Sequence, residues 1–291
     1  MAKKRKHEAP ETPGLDAKRD RLRSMLADME SACVAFSGGV DSTYLLAEAL
    51  DVLGRENVLA VTLTGSLFPP EEVHETNALA ERLGAEHAVL AQHPLEVAGL
   101  ADNPPDRCYV CKRALLRAIT DLAEERGLEE VLDGSNADDA WAHRPGTKAL
   151  AELGVASPLM EAGLAKADVR ALSRRLDLPT ADRPSSPCLA TRFPYGQPIT
   201  EAALERVAAA ERHLHHLGYA VCRVRDHGDV ARIEVPPEQV ARLVSRHHGQ
   251  IVTALKALGY AYVTVDLEGY RSGAMDEVLS NTERGTGNAE P

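Results

Sequence analysis

Between residues 33 and 42 the chain runs Cys-Val-Ala-Phe-Ser-Gly-Gly-Val-Asp-Ser, an apolar strand that meets a helix through two glycines. Glycines lack a Cβ, so the backbone can bend sharply there and turn successive N–H groups toward an anion. Ser37 and Ser42 add hydroxyl donors. The helix N-terminus adds the positive end of a dipole, worth about 0.3–1 kcal/mol per charge. Ser37, Gly38, Gly39 and Ser42 are therefore expected to cradle phosphate. Asp41 cannot donate when ionised, and beside a polyphosphate its natural task is to hold Mg²⁺. Gly-Gly alone would read as a plain strand–turn–helix junction; the whole hexapeptide favours the anion site. It is not a Walker A loop, because G-x-x-x-x-G-K-[ST] is absent.

The segments around this loop alternate. Strands are expected at Cys33–Phe36, Val58–Thr64, Ala88–Leu90 and Glu130–Leu132, with helices at Ser42–Leu53, Glu71–Leu83 and Tyr109–Arg126. A β-α-β-α order implies a parallel sheet covered on both faces, with ligands at the carboxyl ends of its strands. Ser37, Thr62 and the Asp133-Gly134 turn all fall at such ends. After a helix at Lys166–Leu176 and a Pro- and Ser-rich loop the pattern changes. A helix at 200–217, strands at 219–225 and 230–235, a helix at 237–257 and a strand at 260–266 read as a smaller α+β unit. The short His227-Gly228-Asp229 turn marks a hairpin. The expected organisation is a polar tail (1–16), a first domain (17–184), a second domain (185–279) and a second tail (280–291).

Only 4% of the 291 residues are aromatic, so Ala, Leu and Val must build the core. No run approaches the roughly 18 apolar residues of a membrane span, and no secretory signal is visible, so a cytoplasmic protein is expected. Thirty-three basic against 44 acidic residues leave a net charge of −11, which argues against a nucleic-acid partner. Five cysteines, an odd number, argue against a disulfide framework and for metal or redox use. Cys33 and Cys222 lie within apolar strands and read as packed thiols. Cys108-x-x-Cys111 opens a helix, and Cys188 lies in Pro187-Cys-Leu-Ala-Thr-Arg192. Two packed thiols or half a zinc site are alternative readings of Cys108 and Cys111. Three thiolates can instead hold three irons of a [4Fe–4S] cluster and leave the fourth open for a hydrosulfide. In a further alternative, Cys188 alone attacks and loses its own sulfur. The histidines His213, His215 and His216 do not share one helix face and read as a solvated surface.

The Ser37–Ser42 loop resembles the SGGxDS signature of the PP-loop ATP pyrophosphatases, which adenylate an oxygen and release pyrophosphate. Three motifs narrow the likeness to the LarE family: Arg107-Cys108-Tyr-x-Cys111-Lys112, Pro187-Cys188-Leu-Ala-Thr-Arg192-Phe193, and Arg223-Val-Arg225-x-His227-Gly228 with Ala231-Arg-Ile-Glu234. The likeness runs from about residue 17 to 268. It implies a Rossmann-like (adenine nucleotide alpha hydrolase-like) PP-loop domain followed by an α+β domain. It also implies ATP-dependent sulfur transfer to pyridinium-3,5-biscarboxylic acid mononucleotide, for the nickel-pincer cofactor of lactate racemase.

By the same resemblance Thr62 lies near adenine and Asp133-Gly134 near the ribose and phosphates, with Trp141 and Arg144 in that neighbourhood. Cys188 matches the sulfur-bearing cysteine, Arg223 and Arg225 match phosphate-binding arginines, and Glu211 and Glu234 match acidic residues with a metal-binding role. Two residues apart on a strand, the arginines face one side, and their forks match phosphate. A solvated strand face is the alternative. Because Cys108 and Cys111 are present, the chain resembles the members thought to carry a cluster, and the cluster route is preferred to the sacrificial cysteine. A homo-oligomer and a sulfur donor are also implied. The rivals are a cluster-dependent tRNA thiolase, an ammonia-using PP-loop amide synthetase, and a nucleotide-sensing module without chemistry.

Overall fold

The computed structural model describes residues 14–68, 71–141, 145–184, 187–271 and 273–279. All but three residues of the expected first tail and all of the second fall outside them, as do Arg144 and the side chain of Trp141. Helix α1 (Leu15–Ala27) begins two residues inside the segment expected to be a tail. It is fastened by the fully buried Leu22 and Leu26, worth roughly 1.5–3 kcal/mol each, and by Arg19 and Arg23 pairing with buried Glu48.

Strands β1 (Ala32–Ala35), β2 (Val58–Thr64), β3 (Glu86–Ala91) and β4 (Glu130–Leu132) form a parallel sheet in the order β3-β2-β1-β4. Their side chains alternate between two cores, as a sheet covered on both faces requires. Val34, Val58 and Ala60 pack with α1, α2 (Val40–Leu53) and α8 (Lys166–Arg175). Cys33, Leu59 and Val61 pack on the opposite side with α4 (Arg107–Arg126) and α6 (Pro145–Glu152). Helix α3 (Glu71–Leu83) joins β2 to β3; short helices α5 (Ala137–Trp141) and α7 (Pro158–Glu161) follow β4 and α6. Strand β3 is longer than the Ala88–Leu90 expected. It is the sheet edge, which leaves room for the polar Glu86 and His87, neighbours that point to opposite faces.

The chain leaves β1 for β2 on one side and later returns to place β4 on the other, so the connections diverge at the β1–β4 boundary. Such a switch point leaves a crevice beyond the strand ends.

Helix α9 (Glu201–His216), capped by the Thr200 hydroxyl accepting from Ala203 N–H, leads to a mixed three-stranded sheet. Strands β5 (Arg223–His227) and β6 (Val230–Glu234) form the expected antiparallel hairpin, and β7 (Tyr262–Val265) pairs parallel to β6. β5 starts four residues later than expected, because Tyr219 N–H bonds back to the Leu214 carbonyl and draws the chain into the turn that ends α9. The helix expected at 237–257 forms as α10 (Pro237–Arg242) and α11 (His248–Ala257), joined by one widened π turn. An apolar cluster of Leu67 and Leu100 with Leu189, Phe193, Ile199 and Leu204 binds the loop after β2 to the segment around Cys188. Among the described residues no helix is long and apolar enough to cross a membrane.

Candidate functional site

The carboxyl ends of β1, β2 and β4 open on a cavity of about 410 Å³. Phe36 N–H still bonds the Val61 carbonyl, and the chain then turns at Ser37. Gly38 has φ +68°, and a Cβ there would come within 2.9 Å of the Thr76 methyl. Gly39 caps α2 in an extended conformation, and the Ser37 and Ser42 hydroxyls lie 3.1 Å apart across the loop. From the other side comes Gly134, where a Cβ would stand 3.0 Å from Ser42 N. Any side chain at Gly134 would push the β4 turn off the first turn of α2. The expected phosphate cradle and the Asp133-Gly134 turn therefore share one wall.

Among the described residues three cations line this cavity, and each is paired with a carboxylate. Lys166 Nζ lies 2.5 Å from Asp41 Oδ2, and Lys112 Nζ lies 3.2 Å from Asp133 Oδ2. Arg183 pairs through Nη2 with Glu75 and donates through Nη1 to the Gly38 carbonyl at 3.3 Å. Burial pushes the Asp41 carboxyl above the ordinary carboxylate range, with Lys166 opposing the shift. Asp41 Oδ1 is buried and makes no hydrogen bond of normal geometry, although the Asn136 side chain lies close enough to lower its pKa. A buried carboxylate oxygen without a well-placed donor is costly, and a hard divalent cation would satisfy it. The other Asp133 oxygen accepts from Ser135 N–H and its hydroxyl.

Thr62 lines the same cavity, but its hydroxyl is engaged. It donates to the Phe36 carbonyl at 2.6 Å and meets His87 Nε2 at 2.8 Å. With the hydroxyl proton committed, Nε2–H must donate. Nδ1 stands 2.9 Å from Asn77 Oδ1, so in the neutral ring this contact is a hydrogen bond only with the Asn77 amide turned to present its NH2 group. Burial lowers the His87 pKa and favours that neutral form.

Cys188 also lines the cavity. Its carbonyl accepts from Arg192 Nη1 at 3.0 Å and from the Thr191 hydroxyl at 2.9 Å. Cys108 is exposed and Cys111 half-buried near the start of α4, and Cys111 packs on the apolar cluster that also receives Cys188. Burial, reinforced by the charges of Cys188 and Cys108, pushes the Cys111 thiol up to about 12. The three thiols thus lie in one electrostatic neighbourhood, although no group of three or more His, Cys, Asp or Glu among the described residues is arranged to hold a metal ion. Cys33 and Cys222 are fully buried, and burial pushes each thiol up to about 12.

Arg223 and Arg225 share one side of β5, but that side is buried, not a solvated strand face. Arg225 donates to the Thr191 carbonyl at 2.9 Å and to Glu234 at 2.6 Å. Arg223 donates to the Cys222 carbonyl and stacks on Tyr270. Burial, and then the charge of Arg192, lower the Arg223 pKa. Glu211 receives Arg192 Nε and Nη2 on its two oxygens, and Val224 N–H as well. Glu234 receives Arg225 on one oxygen and Arg232 on the other. A cation at either carboxylate would have to displace an arginine. Arg192 and Arg225 together grip the backbone of the Cys188 turn from beneath.

The structure therefore gathers Ser37, Gly39, Asp41, Ser42, Thr62, Asp133, Gly134 and Cys188 around one cavity. Arg223, Arg225, Glu211 and Glu234 form a separate layer behind the Cys188 turn. Sequence reasoning missed Lys112, Lys166 and Arg183. Lys112 directly follows Cys111 and so had a motif to mark it; the other two lie 125 and 145 residues from their loop partners.

A sequence model of the NAD synthase family matches residues 16–98. The pyridinium-3,5-bisthiocarboxylic acid mononucleotide synthase of Lactiplantibacillus plantarum is 40% identical over 272 residues, 94% of this chain and 98% of that protein. An uncharacterized protein of Synechocystis is 41% identical over 267 residues, 91% of this chain and 99% of that one. An NH3-dependent NAD synthetase of Methanopyrus kandleri is 46% identical over 63 residues, 22% of each chain.

Proposed function

The chain belongs to the LarE family of pyridinium-3,5-bisthiocarboxylic acid mononucleotide synthases, and from that premise we propose how its cavity carries out ATP-dependent sulfur transfer. The observation that carries the reading is that one cavity is lined by the phosphate loop, the Asp133 turn and Cys188. Activation and sulfur delivery can then act on the same carboxyl carbon. The NAD synthase match ends at residue 98 and leaves Cys188 out, so it speaks for the shared ATP chemistry alone. The net charge of −11 favours a small nucleotide substrate over tRNA.

ATP lies with its phosphates on the first turn of α2, against Ser37, Gly38, Gly39 and Ser42, and its adenine toward the end of β2 near Thr62. Asp41 takes Mg²⁺, for which its buried oxygen, without a hydrogen bond of normal geometry, is suited. A carboxylate oxygen of pyridinium-3,5-biscarboxylic acid mononucleotide attacks the α-phosphorus, the bond to the β-phosphate oxygen breaks, and pyrophosphate leaves. Sulfur then attacks the acyl carbon, AMP departs with the former carboxylate oxygen, and a thiocarboxylate remains. A second round on the other carboxylate gives the dithiolated product. Lys112, Lys166 and Arg183 offset the charge that builds on the phosphates, a preorganised electrostatic role.

Cys108, Cys111 and Cys188 would hold a [4Fe–4S] cluster: the three thiols are of one chemical type and share one electrostatic neighbourhood, and they would have to draw together to reach three irons. When bound, the cluster supplies a sulfide on its fourth iron as the nucleophile. Arg223 and Arg225 favour the phosphate of the substrate from behind the Cys188 turn. Burial, and then the neighbouring charge of Arg192, lower the Arg223 pKa, and an anion there would offset that gathered positive charge. Glu211 holds Arg192 and Glu234 holds Arg225, and either would bind a metal only in exchange for its arginine. Residues 17–184 would form the ATP-binding unit and 185–279 the sulfur-delivering one, in a homo-oligomer fed by an external sulfur donor. The experiment is to incubate protein, prepared without oxygen, with Mg²⁺, ATP and the diacid. AMP, pyrophosphate and thiocarboxylate in step, with iron and sulfide in the protein and no loss of mass at Cys188, support the reading. ADP and orthophosphate would overturn it; a loss of one sulfur per turnover would replace the cluster with Cys188 as donor.

A further inference from the structure

Arg183 belongs to no motif, yet it lines the cavity shared by the phosphate loop and Cys188. Its guanidinium lines the cavity with Ser37, Asp41 and Cys188, donates to the Gly38 carbonyl at 3.3 Å and pairs with Glu75 of α3. Its backbone is fixed from behind. Arg170 donates through Nη1 to the Ala181 carbonyl and through Nη2 to the Arg183 carbonyl, both at 2.7 Å. Arg170 stands one helical turn after Lys166 on α8, so the two share a helix face. One side of α8 thus reaches the phosphate loop twice, through Lys166 on Asp41 and through the backbone that carries Arg183. Five residues on, the same stretch of chain reaches Cys188, whose neighbour Leu189 bonds its N–H to the Leu67 carbonyl.

We propose that Arg183 is a polyphosphate-contacting residue that links occupancy of the phosphate cradle to the chain segment bearing Cys188. The proposal rests on the ATP reading given above. The guanidinium fork matches phosphate oxygens, and its pair with Glu75 is one-third exposed on the arginine side and half exposed on the glutamate side. Exposed pairs of that kind contribute little and exchange partners readily. An arriving polyphosphate competes with Glu75 for Nη2 and Nη1, and the Gly38 carbonyl marks where they already meet the loop. Because Arg170 holds the backbone at Ala181 and Arg183, the guanidinium meets the polyphosphate from a fixed point of the chain, five residues ahead of Cys188. The order of the reaction benefits: the sulfur-bearing segment is ordered while polyphosphate is bound and released when pyrophosphate leaves.

The test uses the full chain and the Mg²⁺ complex of α,β-methylene-ATP, which resists cleavage at the reacting bond. Affinity is measured by calorimetry and amide exchange by mass spectrometry, for wild type, Arg183→Gln and Glu75→Gln. Arg183→Gln should weaken binding about tenfold, the loss of one charge-assisted contact. Glu75→Gln, which removes the competitor, should tighten binding by up to about fivefold. In wild type the analogue should slow exchange at both the phosphate loop and Leu189–Thr191. In saturated Arg183→Gln only the loop should remain protected. Unchanged affinity in Arg183→Gln, weakened affinity in Glu75→Gln, or protection at Leu189–Thr191 that survives Arg183→Gln would each overturn the proposal. Wild-type protein that binds no analogue would instead refute the ATP reading on which it stands.

Discussion

Two groups of ion pairs stand on either side of the Cys188 turn, and they are built differently. Toward the cavity, Lys112, Lys166 and Arg183 keep 30%, 34% and 32% of their side-chain surface. Behind the turn, Arg192 and Arg225 keep 3% and 5%, and their partners Glu211 and Glu234 keep 8% and none. Water screens the first group, so its pairs are worth about 0–1 kcal/mol each and can be traded for phosphate or Mg²⁺. In the second, leaving one partner unpaired strands a buried charge at a cost of several kcal/mol. One layer is arranged to change partners; the other keeps the turn that carries the sulfur ligand where it is.

That contrast can be broken most directly at Asp41. Asp41→Asn should lower pyrophosphate release by about a thousandfold, since metal catalysis supplies several kcal/mol, with an unchanged urea midpoint. A midpoint that falls along with the rate would mean that Asp41 belongs to the structural layer. Arg192→Ala tests the opposite side. It leaves Glu211 buried without its fork and frees the Pro187 and Cys188 carbonyls, so urea unfolding should show a loss of about 3–5 kcal/mol. A loss below about 1 kcal/mol would place Arg192 with the exchangeable pairs. Lys166→Ala should change stability by no more than about 1 kcal/mol; steady-state kinetics should show KM for ATP raised about tenfold. The smallest effect concerns His87, below the cavity floor. Its folded pKa lies under the unfolded value of about 6.5, so the unfolded chain protonates first and stability declines as pH falls below that value. Urea titrations between pH 7.5 and 5 should show that decline in wild type, shallower in His87→Gln.

The parallel sheet and its crevice were legible because Ser37–Ser42 and Asp133-Gly134 are local signals, each a strand end followed by a turn. The hairpin at His227–Asp229 was legible for the same reason. The same spacing placed Arg223 and Arg225 on one side of a strand without telling whether that side faces water. The answer depends on α9 and the Leu189–Arg192 turn, both earlier in the chain, closing over it. Lys166 and Arg183 were illegible for a related reason. A lone cation on a helix or in a loop carries no periodicity, and only the return of α8 beneath α2 brings Lys166 to Asp41. Where β3 and β5 begin was missed because an edge strand tolerates polar residues and a helix-ending turn consumes apolar ones.

Cys33 lies at the centre of the parallel sheet and Cys222 just before the first strand of the smaller one, both without solvent access. A thiol reagent reaches neither until hydrogen bonds around it have opened. Each sulfhydryl is therefore a built-in clock for its own half of the molecule. Trapping rates for the two, followed peptide by peptide in mild denaturant, would tell whether the halves melt together or one at a time.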